Sequence, residues 1–305
     1  MDKFRLKRHG TFSIREGWIE KAMHEIKANQ TGKSIFGKEV GVTNLGIGAN
    51  MVSSLRYWMV ACGLFDSKTS ELTEFGEILY AHDQYLEDIF SWWMIHLKLL
   101  TNHVDDIKLH DAPVFYAAFN EFDAKNFKKN TLIQWFEEYE YELGFEASSE
   151  ANVESDVSVF LKSYTEEPID NPEDNLSSPL GKLGLLKKID RDTYEFTKPD
   201  FSQLNYLIVY YSMILCLKNK SGNRANSINI DDLCKSSISP VKLFNLNLNM
   251  LNRYLEQMKQ HELITLNKTA GLNMIYINES KSEREIFEEY LGEKTDDIFL
   301  SLIHI

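Results

Sequence analysis

Cysteine is scarce, and its placement excludes more than its number does. The three, Cys62, Cys216 and Cys234, lie far apart in apolar settings. They form no metal-ligand spacing and no even disulfide framework, which fits buried thiols in a reducing compartment. A cytoplasmic location is therefore expected. No apolar run reaches the roughly 18 residues that a membrane span requires. The longest, around 204–217, is broken by Asn205 and Ser212, so no membrane association is expected. The opening MDKFRLKRHGTF is positively charged but has no apolar stretch behind it, so no secretory leader is expected. Alternation of strands and helices of the βαβ kind is also missing, which argues against a dinucleotide-binding fold.

What is present is ample core material and an uneven distribution of charge. The 305 residues, which suggest two domains or one with substantial additions, are 43% hydrophobic and 12% aromatic, enough for full-sized cores. The net charge of −13 argues at first against nucleic acid. The distribution of that charge removes the objection: residues 1–60 carry +5, 61–200 carry −17, 201–280 carry +3 and 281–305 carry −4. Screening at physiological salt confines each patch to about 8–10 Å, so an acidic middle leaves basic ends free to meet DNA locally.

Residues 16–28 read as a helix, with Ser13 and Glu16 spaced as a capping box. A short segment follows at 34–40, then a turn at Gly46–Gly48 and a helix over 50–60 that Gly63 ends. Leu64-Phe65 and Leu72-Thr73 read as a small hairpin. Helix, short helix, helix and hairpin is the order of a winged helix-turn-helix, with 50–60 as the recognition helix. A similar order recurs in 204–277, with one long helix predicted over Pro240–His261 and a hairpin turning at Asn267–Gly271. The polar residues of that helix, Lys242, Asn245, Asn249, Asn252 and Lys259, suit either a second DNA reader or a dimerisation surface. Between the two lie aromatic-rich helical stretches, a linker at Thr165–Ser178 and a further Gly-Leu-Leu hairpin within 179–197. The expected fold is mainly α with small β-hairpins: tandem winged helix-turn-helix modules joined by a helical middle region. The expected divisions are 1–81, 82–165 and 166–305.

Gly46-Ile47-Gly48 lacks the third glycine of a dinucleotide fingerprint and the Gly-Lys-Ser/Thr of a P-loop, so no nucleotide cofactor is expected. As a turn into a helix whose N-terminus meets a DNA phosphate it is sensible. Asn50, Ser53, Ser54 and Tyr57 recur at i, i+3, i+4 and i+7, with Arg56 beside them and Met51, Leu55, Trp58 and Met59 opposite. Asn suits adenine edges, and Arg suits guanine or phosphate. A polar stripe that simply faces solvent has the same pattern.

His9-Gly10-Thr11-Phe12 with Arg15 and Trp18, Leu45 through Val52 with Arg56-Tyr57-Trp58, Leu72-Thr73 with Gly76, Tyr85 to Asp88, Trp93 with His96, and Phe119 to Phe122 stand in that order over the first 140 residues or so. Together these blocks resemble the bacterial family catalogued as domain of unknown function 4007. Two departures stand out: Gly10 replaces a usual Glu, and Ala49 a usual Lys, removing one natural phosphate contact. The resemblance implies a place in DNA phosphorothioation systems of the Ssp type, as the subunit that nicks one strand so that sulfur can be installed. It also implies duplex DNA as partner, together with proteins of the sulfur-modification system, and a homodimer is a further expectation. On this basis His9, Thr11, Arg15, Asn50, Ser53, Ser54, Arg56 and Tyr57 are the expected DNA-binding residues.

Candidates for the nicking chemistry follow from elimination as well as resemblance. Winged helices supply binding groups but few carboxylates along a phosphate path. The blocks around Tyr85–His96 and Asn120-Glu121 instead set acids and a histidine among bulky apolar residues that can fix them and shift their pKa values. Asp88 and Glu121 are accordingly expected to hold Mg2+ or Mn2+, with His96 as base or proton donor. The simpler alternative has these groups capping helices and satisfying one another inside a core. A non-enzymatic DNA-binding adaptor or transcriptional regulator is the rival function.

Overall fold

The N-terminal elements show how local chemistry sets the chain's first turns. The computed structural model describes residues 2–29, 34–102, 110–166, 177–221, 226–267 and 273–303. Helix α1 (Trp18–Ala28) buries Trp18, Ile19, Ala22, Met23 and Ile26, the spacing read from the sequence. Its start differs from expectation. Gly17, at φ 76°, occupies the N-cap position and no side chain caps the helix, so the Ser13–Glu16 capping box is not formed. Helix α2 (Lys38–Leu45) turns through Gly46–Gly48 into α3 (Ala49–Ala61). The two helices approach closely because Gly41 has no side chain; a Cβ there would lie 2.6 Å from a Val52 methyl. Gly63 (φ 68°) ends α3 in a Schellman turn, with Gly63 N–H donating to Val60 O and Leu64 N–H to Met59 O. Strands β1 (Phe65–Asp66) and β2 (Glu71–Leu72) form the expected hairpin, each displaced by one residue. Thr73 Oγ1 then accepts from Gly76 N–H at 3.1 Å and starts α4 (Glu74–His82).

Helices α5 (Ile89–Thr101) and α6 (Pro113–Asn120) are apolar on nearly every side and form the centre of the molecule. They are followed by β3 (Asn126–Lys128), α7 (Lys129–Glu142), α8 (Glu150–Tyr164), a short 3-10 helix at Pro179–Leu183, β4 (Leu186–Lys188) and β5 (Thr193–Phe196). The sheet order is β3-β5-β4, all antiparallel, with Phe127 opposite Tyr194. This sheet crosses the division expected at 165/166, because β3 pairs with a strand that lies beyond it.

The same order then repeats: α9 (Tyr206–Ser221), β6 (Ser227–Asn229), α10 (Ile230–Lys235), α11 (Pro240–Leu243), α12 (Leu248–Gln260), β7 (Ile264–Asn267) and β8 (Met274–Ile277). Again the last strand is central, in the order β6-β8-β7. The single helix expected over Pro240–His261 is two. Asn245 adopts φ 48°, and its Nδ2 donates to Thr197 O at 2.9 Å. Asn247 then caps α12 by accepting from Met250 N–H at 2.8 Å. Helix α13 (Glu283–Ile303) closes the fold against α4 and α9. Most of the expected linker, at 167–176, and all of the expected turn Asn267–Gly271 except Asn267, which ends β7, lie outside the described residues.

The fold is thus mainly helical with small antiparallel sheets, and no helix among the described residues is long and apolar enough to cross a membrane. Many of its aromatic residues are core, while Tyr85 and Tyr141 stand exposed. Trp58 meets Phe115 edge-on at 5.6 Å, Phe115 meets Phe160 at 5.3 Å and Phe119 meets Tyr164 at 5.0 Å, joining α3, α6 and α8. Such edge-to-face contacts add about 0.5–1.5 kcal/mol each beyond area burial.

Candidate nucleic-acid interface

Helix α3 divides its residues between core and solvent. Val52, Leu55, Trp58 and Met59 are buried, while Asn50, Ser53 and Arg56 are exposed at three-residue intervals. That interval advances slightly less than a full turn, so the three form one outward strip. Ser53 Oγ donates to Ala49 O at 3.2 Å. The sequence expectation needs correction at two positions. Ser54 is 1% exposed and Tyr57 6%, and both point inward. Tyr57 satisfies its hydroxyl by donating to Asp111 O at 2.8 Å, and burial raises its pKa well above the usual phenol value.

The segment before α1 supports α3 from below. His9 is 1% exposed, stacks flat on Trp58 at 5.7 Å and places Nε2 3.2 Å from Asp156 Oδ1 on α8. Lys7 N–H donates to the other oxygen of Asp156 at 2.8 Å, and Arg8 pairs with Asp111. His9 was expected at the DNA; sealed under α3, it is a prop for that helix. Thr11 is exposed, as a DNA contact requires. Arg15 is half-buried, with its guanidinium 5.5 Å from the Phe12 ring and 5.3 Å from the Trp18 ring. Burial lowers its pKa, yet a guanidinium remains charged throughout the physiological range. The arrangement leaves a firm strip of Asn50, Ser53 and Arg56, with Thr11 and Arg15 on the preceding segment.

Asp88, His96 and Glu121 are each held by separate partners, and no hydrogen bond or ion pair joins them among the described residues. Asp88 is the N-cap of α5: Oδ1 accepts from Phe90 N–H at 3.0 Å. Both oxygens accept from Tyr290 OH at 2.9 Å, and Lys294 Nζ donates to Oδ2 at 2.7 Å. Partial burial would raise this carboxyl, but Lys294, the Phe90 amide and Tyr290 together hold it below the usual carboxylate value. Tyr290 and Lys294, some 200 residues away on α13, left no local signal near Asp88 in the sequence.

His96 is fully buried. Leu243 O can only accept, so Nε2, 2.9 Å away, carries the proton; Nδ1 then accepts from Tyr164 OH at 2.7 Å. Burial pushes the imidazole down to about 4, so it is neutral near pH 7. A sealed ring with both nitrogens committed cannot meet a phosphodiester. The expected role of His96 as base or donor is therefore replaced by that of a joint between α5, α8 and α11. Glu121, at the end of α6, lies 3.8 Å from Lys242 Nζ.

These side chains do not fit a divalent metal. Among the described residues no group of three or more His, Cys, Asp and Glu side chains comes together as a metal site, and Asp88 already carries an ammonium and a phenol. Asp88 and Glu121, expected to share an ion, are joined by no hydrogen bond or ion pair among the described residues.

The chain belongs to the family described as protein of unknown function DUF4007, whose model matches residues 6–291. No curated protein matches it in sequence. Among solved structures it is similar to a magnesium ion-bound SspB crystal structure, with TM-score 0.77 and 25% identity over 96% of this chain and 88% of that one. A second SspB crystal structure gives TM-score 0.76 and 24% identity over the same shares.

Proposed function

We propose that this protein binds duplex DNA and nicks one strand within a phosphorothioation system, with α1–α3 and the β1–β2 hairpin acting as a winged helix-turn-helix. The observation that carries the binding half is the division of α3: Asn50, Ser53 and Arg56 outward, and Val52, Leu55, Trp58 and Met59 locked inward. A reading helix needs that rigidity together with that polarity. The strand order β6-β8-β7 after α9 and α10–α12 supports a second winged helix. The similarity to SspB over nearly the whole chain supports the phosphorothioation context, and nicking is what the resemblance to Ssp-type systems implies. Duplex DNA is the first partner on this reading, and proteins that install sulfur are the next.

A second reading, a DNA-binding adaptor without its own chemistry, is favoured by the separate engagement of Asp88, His96 and Glu121. A supercoiled-plasmid assay with the pure protein and Mg2+ or Mn2+ separates the two. Magnesium is the first ion to test because an SspB structure holds it. Open circles are expected; retarded but intact plasmid would establish the adaptor. For binding, Asn50→Ala with Arg56→Ala should weaken duplex affinity and lower the salt slope by about 0.9 for each lost phosphate contact. An unchanged affinity and slope in the folded double variant would reject α3 as the reading helix.

A further inference from the structure

We infer that the outward face of α12 is a second duplex-DNA contact, in which Arg253 is the fixed cation and Asn249 and Asn252 meet base edges. The inference rests on the DNA-binding reading above and adds a separate site to it. Leu251, Tyr254, Leu255 and Met258 are buried beneath the helix, while Asn249, Asn252, Arg253, Glu256 and Lys259 are exposed. Arg253 is pre-organised. Its guanidinium carbon lies 3.7 Å from the centre of the Phe201 ring, which itself stacks on Tyr254 at 4.6 Å. Tyr254 is fixed in turn by its hydroxyl, which donates to Leu204 O at 3.1 Å. Stacking occupies the face of the guanidinium and leaves its N–H edge free for phosphate or guanine.

The rest of the surface agrees. Glu256, the acid on this face, sits 3.6 Å from Lys259, so the face as a whole carries two cations against one acid. No carboxylate pairs with Arg253 among the described residues. Asn249 and Asn252 disfavour a helix by several tenths of a kcal/mol each, and neither makes a side-chain hydrogen bond among the described residues; Asn247 alone does the capping. Their spacing of three places both amides on one side of the helix, and an amide fork suits the N6 and N7 edge of adenine. The β7–β8 hairpin follows directly, with Tyr276 and Thr265 exposed as a wing beside a duplex requires. A protein interface would need a central apolar anchor. Leu248, at the first position of the helix, is the large apolar residue exposed on α12.

The test uses the full chain, with duplex affinity measured by fluorescence anisotropy across a salt series and with melting temperature recorded. Asn249→Ala, Asn252→Ala and Arg253→Ala combined should weaken binding about tenfold or more and lower the salt slope by about 0.9, at an unchanged melting temperature. Should the triple variant melt early, the single substitution Asn252→Asp takes its place. It leaves the core untouched, replaces the amide's N–H donors with a carboxylate in the duplex's negative potential and should weaken binding. Wild-type affinity in a folded variant, while the α3 variant is impaired, overturns the α12 site and leaves the DNA-binding reading standing. Loss of a dimer in gel filtration at unchanged DNA affinity overturns it in favour of a protein contact. A wild-type protein that binds no duplex overturns both.

Discussion

Helices α8 and α12 hold the same place in the same strand order, yet they present opposite faces. Each precedes a hairpin whose second strand is central in a three-stranded sheet. Helix α12 buries Leu251, Tyr254, Leu255 and Met258 on one side only. Helix α8 buries Val153, Asp156, Val157, Val159, Phe160, Leu161, Ser163 and Tyr164, and its exposed residues include Glu150 and Glu154. A helix packed nearly all round has no face for a groove, and its exposed Glu154 is engaged by Lys129 Nζ at 2.8 Å. Topology places such a helix; the residues on its outer face decide whether it reads a ligand or supports the helices around it. Here the middle copy supports α3 through Asp156 and His9.

The comparison breaks most visibly in stability. Phe160→Ala on α8 should cost about 3–5 kcal/mol by transfer and cavity terms, read from the midpoint of urea unfolding. A loss below about 1 kcal/mol would mean that the helix is not packed as described. Next comes His96, beside Tyr164 at the end of α8. Its folded pKa of about 4 lies below the unfolded value near 6.5, so the unfolded chain binds the extra proton as pH falls. Its contribution is fully present above about pH 6.5 and is lost progressively toward pH 4, a span of about 3 kcal/mol. Stability measured against pH should fall in that window for the wild type and stay flatter in His96→Gln. Equal slopes would remove His96 as the cause. The smallest effect belongs to α12: Asn252→Ala should alter stability by no more than about 0.5 kcal/mol, because its side chain faces outward. A large loss there would show that α12 resembles α8 after all.

Periodicity made α1, the inner face of α3 and the three small hairpins legible, since those signals lie within a few residues. Strand β3 was not legible. Three residues, Asn126–Lys128, become a strand only because Thr193–Phe196 comes to lie beside them. The break in the long helix was visible in part, as Asn245 and Asn247 are residues that take left-handed and capping conformations readily. The candidate site was read least well, for a chemical reason. Tyr57 and Ser54 look polar in a stripe, yet a phenol ring can be buried whole once its hydroxyl finds Asp111 O, and a serine is small enough to follow. His96 and Asp88 likewise looked reactive because polar groups amid aromatics are compatible with either a site or a joint. The partners Tyr164, Leu243, Tyr290 and Lys294 decide between these, and they lie 68 to 206 residues away.

The hydrogen bonds of His96 also set how the molecule comes apart. One ring is bonded to Tyr164 on α8 and to Leu243 on α11, so withdrawing either helix strands a buried polar atom. Neither of the two repeated units can then open alone at low cost. In amide-exchange terms the interior ends of α5, α8 and α11 belong to one cooperative block with a shared opening free energy. The outward strips of α3 and α12 ride on that block, so their spacing is set by the same buried contacts.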